Sequence, residues 1–166
     1  MQKNSYERDF SWEEKYWHVY GSYCQNWNSA INFIAEKLGA KALDEYYAKT
    51  LDKKGLGKSA FSDLGEDVDV DSLIKSFVAH HLMLGGSVKV ISVDKDKFVC
   101  SVSCGSKSRL VKKCGADKVT HYCRHCEALS MYEQMGWHNE VDQSNVERID
   151  GEPVGCRRVF TRIEQL

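Results

Sequence analysis

The first third of the chain has hydrophobic positions three and four residues apart, which is the period of an amphipathic helix. Over residues 10–38 these positions are largely aromatic, Ser11 is a suitable N-cap and Gly39 a suitable end. We expect one aromatic-rich face of this helix to be buried. The same spacing predicts a second helix over 42–51, and the Lys- and Gly-containing stretch 52–57 predicts a loop.

A third helix is predicted after an acidic stretch, residues 61–71, which lacks the pattern of a calcium loop. Asp71 or Ser72 is the expected N-cap, and Gly85 and Gly86 are the expected end. The hydrophobic positions between these signals again follow the helical period.

Beyond this point the hydrophobic period changes from helical to two. Residues 87–93 and 98–104 therefore predict two strands of a hairpin around the turn 94–97. Residues 105–108 follow as a polar break, either a plain turn or a place where amides and side chains hold an anionic group.

The last part of the chain predicts one more helix and a second hairpin. The helix is expected over 122–135, and the two strands over 137–148 and 155–163. Asp150, Gly151 and Pro153, the only proline, mark the loop between these strands.

This order of elements predicts an α+β fold in a single domain, residues 1–166. N-terminal helices (1–86) are expected to pack on an antiparallel sheet (87–166) that carries the cysteine-rich site, with a helix inserted before the last hairpin. A chain of 166 residues can bury its own core.

Charge and hydropathy restrict the partners and the compartment. The chain has 23 basic and 24 acidic side chains, so it lacks the positive field that nucleic-acid binding requires. Its first ten residues are polar, and no stretch approaches the roughly 20 apolar residues that cross a bilayer. We therefore expect a cytoplasmic protein with no nucleic-acid or membrane partner.

Seven cysteines are the main chemical feature of the sequence. Because this number is odd, they cannot all pair within one chain, and a reducing cytosol would keep them as thiols or place them on a metal. Cys123 and Cys126 form a C-x-x-C motif at the start of the predicted fourth helix, where two thiolates can point the same way. The motif predicts either a pair of metal ligands or a redox-active dithiol.

Zinc would need ligands in addition to this pair. Cys100 and Cys104 lie about 13 Å apart on an extended strand, at roughly 3.3 Å per residue, so both cannot bind one ion. Cys104 is preferred because it ends the strand, and Cys156 opens the last strand. The predicted metal ligands are therefore Cys104, Cys123, Cys126 and Cys156, holding zinc or, as an alternative, an iron–sulfur cluster. Cys24 and Cys100 are expected to be packing residues, and the role of Cys114 stays open.

Residues around the motif also suggest catalysis. Cys123 could act as a nucleophilic thiolate, and the groups that could move protons are His121, His125 and Glu127. A neighbouring arginine, a histidine and a helix N-terminus would also lower a thiol pKa, as a redox dithiol needs. Thioredoxin-like folds, however, place such a motif after an early strand and carry a cis-proline near it. Here the motif lies late in the chain and Pro153 is the only proline.

The segment from His121 to Phe160 resembles two related families. It contains the string His-Tyr-Cys-Arg-His-Cys, a helix ending at Met135-Gly136, and the string Cys-Arg-Arg-Val-Phe from Cys156. These features look like the 4-vinyl reductase domain family and the related L-2-amino-thiazoline-4-carboxylic acid hydrolase family. The resemblance covers about the last 45 residues and implies an α+β domain that binds small molecules.

In the sensor members of the first family, the resemblance implies zinc held by a cysteine at the start of the last helix, an acid and a cysteine late in the next strand, and a cysteine before the final strand. Cys123 or Cys126 matches the first position and Cys156 the last. The position of the middle cysteine falls near Arg148, which is not a zinc ligand, with Glu147 beside it. The second cysteine of the C-x-x-C pair and Cys104 could replace this missing ligand.

We therefore expect a small-molecule hydrolase or lyase with a zinc-binding, cysteine-rich site. One alternative is a sensing or carrier module in which a metal only ties the last helix to the sheet. Another is an accessory subunit of a larger enzyme with a zinc or iron–sulfur site. The expected partner is a small molecule, and a homo-oligomer is also compatible with the sequence.

Overall fold

The computed structural model describes residues 9–50, 67–127 and 130–163. The predicted end of the second helix at Leu51, the loop 52–57 and most of the acidic stretch lie outside these residues. The helices are α1 (Trp12–Leu38), α2 (Ala40–Thr50), α3 (Val70–Met83), α4 (Gly105–Cys114), α5 (Arg124–Glu127) and α6 (Ser130–Glu133), with a 3-10 turn at Ala116–Lys118. The strands are β1 (Ser87–Asp94), β2 (Lys97–Ser103), β3 (Trp137–Asp142), β4 (Arg148–Ile149), β5 (Glu152–Pro153) and β6 (Gly155–Arg162).

Helix α1 begins and ends where the sequence predicts. Ser11 and Glu14 form a capping box, in which the Glu14 amide donates to Ser11 Oγ at 3.1 Å and the Ser11 amide donates to Glu14 Oε2 at 2.8 Å. At the other end, Gly39 has a φ of 86°, in the region that favours glycine.

The expectation that the aromatic face of α1 is buried is wrong in part. Trp17, Tyr20 and Trp27 are half-buried, whereas Trp12 and Tyr23 are 85% and 61% exposed. Helix α1 packs against α2 and α4 along a narrow face only. The residues that this face buries are Cys24, Asn28 and Ile31.

Helix α3 has a different N-cap from the predicted one. Asp69, and neither Asp71 nor Ser72, caps it, because the Ser72 amide lies inside the helix and donates to the Asp69 carboxylate at 2.9 Å. The helix ends as predicted: Leu84 is the C-cap and Gly85 follows with a φ of 68°.

Four antiparallel strands form the main sheet in the order β1-β2-β6-β3, so the α+β class is confirmed. The predicted β1–β2 hairpin is present. Strand β3 pairs with β6 as expected but ends at Asp142, six residues early, because the chain then leaves the sheet for a small hairpin of β4 and β5. The turn of this hairpin contains Asp150 and Gly151, with φ values of 50° and 84°.

Two local predictions are wrong. The polar break at 105–108 is the first part of α4, because Ser106 and Lys107 are buried on the same helix face as Leu110 and Val111. The single helix predicted over 122–135 is a turn at 120–123 followed by the one-turn helices α5 and α6.

The buried side chains form two clusters. One lies between the sheet and α3 and contains Phe77, Phe98, Trp137 and Phe160; the other joins α1, α2 and α4 and contains Ile31, Leu43, Tyr47 and Leu110. Within the described ranges, no helix is both long and apolar enough to cross a membrane. The elements that carry the cysteines connect the two clusters.

Candidate thiol and metal site

Cys104 lies at the junction of β2 and α4. Its backbone N–H donates to the Val154 carbonyl at 2.8 Å, which fixes the junction beside the start of β6. Its Sγ lies 3.3 Å from Ser106 Oγ, and the side chain is half-buried. The sequence placed Cys104 at a strand end, and the structure confirms that placement.

Cys123 lies on the turn that leads into α5, and Cys126 lies within this one-turn helix. The Cys126 amide donates to the Cys123 carbonyl at 2.9 Å, so the two residues share one tight turn. Arg124 between them forms two hydrogen bonds to the Asp44 carboxylate, at 2.8 and 3.0 Å, which hold the turn against α2. Asn139 of β3 donates to the Cys126 carbonyl at 3.3 Å. The C-x-x-C motif is thus held from both sides.

Cys156 lies near the start of β6, the inner strand between β2 and β3. It is opposite Val102, and Arg158 is opposite Cys100. Because side chains alternate along a strand, Cys156, Arg158 and Phe160 all face the core. The Nε of Arg158 donates to Cys156 Sγ at 3.4 Å.

Cys104 lies within electrostatic range of the other three predicted ligand residues. Burial raises the pKa of Cys104, and the neighbouring Cys126 and Cys156 raise it further. Burial, then Cys126, raises the pKa of Cys123 to about 12, although Lys107 opposes this rise. Cys104 and Cys123 are therefore protonated at neutral pH unless a metal replaces the proton.

The structure does not arrange these thiols as a complete ligand set. Among the described residues, no three His, Cys, Asp or Glu side chains are grouped closely enough to hold a metal ion. The donor chemistry nevertheless suits zinc, which binds cysteine as thiolate.

Lys107 brings a buried positive charge to the thiols. Its side chain is 1% exposed, and its Nζ lies 2.5 Å from Glu152 Oε1, on the small β4–β5 hairpin. Burial opposes the charged form, but Cys123 and Glu152 outweigh it and raise the pKa of Lys107.

Arg158 brings a second buried positive charge and has no carboxylate partner among the described residues. It is 1% exposed, its Nη1 has no hydrogen-bond partner within the part of the chain that the structure describes, and its guanidinium lies 5.3 Å from the Phe77 ring centre. Burial lowers its pKa, but Cys126, Tyr132 and Cys156 raise it overall. A buried guanidinium without a full set of acceptors is costly, and the neighbouring groups that could become anions are the thiols of Cys126 and Cys156 and the phenol of Tyr132.

The remaining candidates are placed less centrally. Cys24 and Cys100 are buried in the two hydrophobic clusters, in agreement with a packing role, and Cys114 is half-buried against the helical cluster. His121 is half-buried on the turn before Cys123. The side chains of His125 and Glu127 lie outside the described part of the structure.

Sequence reasoning missed the two buried cations, although each had a signal. Lys107, Leu110, Val111 and Cys114 follow the i, i+3, i+4, i+7 pattern of one helix face. Arg158 stands between Cys156 and Phe160 in a row of period two, so it had to face the core with them. Neither signal led to the prediction of a buried cation, because charged residues are expected to lie in solvent.

A small pocket lies between α1 and α4. Its volume is about 40 Å³, and its lining includes Tyr20, Cys24, Ser106 and Leu110. This space suits one or two water molecules and is far below the size of a drug-sized ligand pocket.

Comparisons with protein-family models, with curated proteins and with solved structures find no match to this chain. The resemblance of residues 121–160 to the 4-vinyl reductase and thiazoline carboxylic acid hydrolase families therefore stays a prediction.

Proposed function

We propose that the chain is a small-molecule hydrolase with a zinc site formed by three thiolates from among Cys104, Cys123, Cys126 and Cys156. The observation that carries the zinc site is the pair of buried cations beside these thiols. Because the thiols are not grouped as ligands in this structure, binding would require them to reorient.

The charges around the thiols favour thiolate ligands. Lys107 and Arg158 carry two positive charges and Glu152 one negative charge, which leaves one positive charge. One zinc ion with three thiolates carries one negative charge, so the two sets balance. Four thiolates would leave one negative charge in excess. The balance favours three thiolates and an open fourth position, as in catalytic zinc sites.

Hydrolysis is the activity that such an open site would support. Zinc with an open position activates water and polarises a C=N or C=O bond. From this chain, Lys107 would hold Cys123 and Arg158 would hold Cys156 in the thiolate form through their N–H groups. His121, at the edge of the turn, would accept or donate the proton. Because the site needs reduced thiols, we place the function in the cytoplasm.

Zinc binding is tested by titrating metal-free, reduced protein against a chromophoric chelator. We expect one zinc per chain, with weaker binding in Cys123→Ser and Cys156→Ser. Arg158→Met should weaken binding by roughly 10- to 100-fold, the usual effect of removing a residue that supports a ligand. Cobalt substitution should show the absorption bands of thiolate coordination.

Cys114→Ser is the matched control, because Cys114 is also half-buried but packs in the helical cluster. It should bind zinc like the unsubstituted protein. A zinc affinity that no cysteine variant changes, or a brown protein after anaerobic purification, would overturn the zinc proposal. The second result would favour an iron–sulfur cluster.

Hydrolysis is tested with 2-amino-thiazoline-4-carboxylate, the substrate that the resemblance implies. We expect zinc-dependent consumption of this compound, measured by chromatography, and loss of turnover in Cys123→Ser. Zinc binding without turnover on a series of cyclic C=N substrates would contradict the hydrolase proposal and leave the zinc site intact.

The second candidate is a sensing or carrier module with a structural metal. It is favoured by the origin of the four cysteines, which come from the β2–α4 junction, from α5 with the turn before it, and from the start of β6. A closed site of four thiolates would tie these three segments together. Joint loss of metal and secondary structure in both serine variants would support this candidate.

A further inference from the structure

The structure brings two of the seven cysteines within the range of a disulfide. The Cys126 amide donates to the Cys123 carbonyl at 2.9 Å, which is the bond from residue i+3 to residue i of a single turn. The Cα atoms across such a turn lie less than about 7 Å apart, and disulfides usually join Cα atoms about 4.4–6.8 Å apart. Rotation of the two side chains can therefore join Cys123 and Cys126 while the backbone stays in place.

The sheet keeps the cysteines of β2 and β6 apart. Cys100 lies opposite Arg158. Cys104 continues the same register opposite Val154, to whose carbonyl its amide donates. Cys156 is therefore diagonal to both Cys100 and Cys104, at about 7–8 Å between Cα atoms, which is beyond the usual range of a disulfide. A bond from Cys156 to either residue would require the backbone to move.

The turn that carries the pair is already ordered. The ion pair of Arg124 with Asp44 holds it against α2, and the hydrogen bond from Asn139 holds it against β3. A bond between the two sulfur atoms would thus cost little further conformational entropy. Cys123 and Cys126 are half-buried, so both side chains remain in partial contact with solvent.

We propose that Cys123 and Cys126 form a reversible disulfide, and that its formation releases zinc from the proposed site. The release of zinc rests on the proposed function, whereas the disulfide itself does not. The four candidate ligands are this pair, Cys104 and Cys156. Any three of them include at least one member of the pair. Oxidation of the pair therefore leaves at most two thiolates, whereas a catalytic zinc site has three protein ligands.

The oxidant is a low-molecular-weight disulfide such as glutathione disulfide. One thiolate of the pair attacks a sulfur atom of this compound, which forms a mixed disulfide and releases one small thiol. The other thiolate then attacks the protein sulfur of the mixed disulfide and releases the second small thiol. Two protein thiols and one small disulfide thus become one protein disulfide and two small thiols. Two electrons pass to the oxidant, and the two protons end on the released thiols.

A redox titration of the reduced, metal-free protein in mixtures of reduced and oxidised glutathione tests the disulfide. We expect the unsubstituted chain to lose two of its seven thiols, measured by alkylation and mass spectrometry, with the bond mapped to Cys123 and Cys126. Dithiothreitol should restore both thiols. Retention of all thiols, a bond to another cysteine, or mixed disulfides with glutathione alone would overturn the proposal.

Cys104→Ser is the matched control, because Cys104 is a candidate zinc ligand but is not a member of the pair. It should form the same disulfide at the same ratio of reduced to oxidised glutathione. Cys126→Ser should instead stop at a mixed disulfide between Cys123 and glutathione. Circular dichroism checks that both variants are folded, and the titration of the unsubstituted chain does not depend on them.

Zinc release connects the disulfide with the proposed function. Zinc-loaded protein treated with glutathione disulfide should release zinc to a chromophoric chelator at the rate at which the two thiols are lost, and dithiothreitol should restore binding. An oxidised protein that keeps its zinc contradicts the proposed release. A reduced protein that binds no zinc contradicts the proposed function instead, and the glutathione titration then decides the disulfide by itself.

Discussion

Lys107 carries a charge in a part of the fold that water cannot reach, so its burial costs free energy. Glu152 neutralises it at 2.5 Å but remains in partial contact with solvent. A buried ion pair of this kind adds little net stability, yet the loss of one partner leaves the other partner's charge uncompensated.

We predict that Lys107→Met lowers the free energy of unfolding by about 3 kcal/mol, the lower end for a broken buried pair because Glu152 can still rehydrate. Chemical denaturation of metal-free protein measures this change. Adding Glu152→Gln to Lys107→Met should recover most of the loss.

Lys118 provides the comparison for that measurement. It also pairs with an acid, Asp117 at 3.0 Å, but both side chains are exposed. Lys118→Met should leave the free energy of unfolding unchanged within error. An equal loss in both lysine variants would show that burial is not the reason for the effect.

Two glycines differ in what surrounds them. A Cβ at Gly105 would overlap the backbone of Gly85 and lie 2.7 Å from the Gly86 amide nitrogen, whereas a Cβ at Gly21 has no neighbour within 4 Å. Gly105 thereby allows the end of α3 to approach the junction that holds Cys104.

We predict opposite signs for alanine at these two positions. Gly105→Ala should destabilise the protein by about 1–3 kcal/mol through overpacking. Gly21→Ala should stabilise it by roughly 0.5–1 kcal/mol, because alanine is the better residue inside a helix. Thermal unfolding measures both. A neutral Gly105→Ala would mean that the two backbones can separate without cost.

At the scale of elements, the N-terminus of α3 is capped by the ionised carboxylate of Asp69. Hydrogen bonds from the Ser72 amide and then from its hydroxyl lower the pKa of Asp69 below its ordinary value of 3.8. A depressed carboxyl pKa stabilises the folded state above the unfolded pKa, and this contribution is lost as the pH falls through the folded pKa.

We predict that the unsubstituted protein is more stable than Asp69→Asn at pH 6 and that the difference shrinks as the pH falls below about 4. Urea unfolding at several pH values measures the difference. Asn keeps an acceptor for the Ser72 amide but cannot ionise, so it isolates the charge. A difference that stays constant with pH would show that the charge of Asp69 does not contribute.

The elements that the sequence predicts well are those with local signals. The capping box at Ser11, the glycines after α1 and α3, and the period-two strands each act within a few residues. Helix α4 was missed because its hydrophobic face includes Lys107, which a binary pattern counts as polar. The split of the helix predicted over 122–135 into α5 and α6 has no comparable local signal.

At the scale of the whole molecule, the sequence predicted the α+β class, with N-terminal helices and C-terminal strands, but could not predict how distant segments meet: α3 packs on the sheet, whereas α1 packs against α2 and α4. The position of β6 between β2 and β3 determines which cysteines come close to one another. Lys107 and Glu152 are 45 residues apart, and their contact depends on the β4–β5 hairpin. The periodic pattern of hydrophobic residues cannot predict such long-range contacts.

The inner position of β6 has a consequence for the order of folding. Strands β1 and β2 can form a hairpin as soon as they leave the ribosome, but β3 has no partner until β6 is synthesised. Cys156 and Arg158 arrive on that same strand, so the sheet and the thiol site must be completed in a single late step. Before Cys156 is synthesised, a nascent chain holds only three of the four cysteines proposed as metal ligands. Translation thus sets the order in which these cysteines can come together.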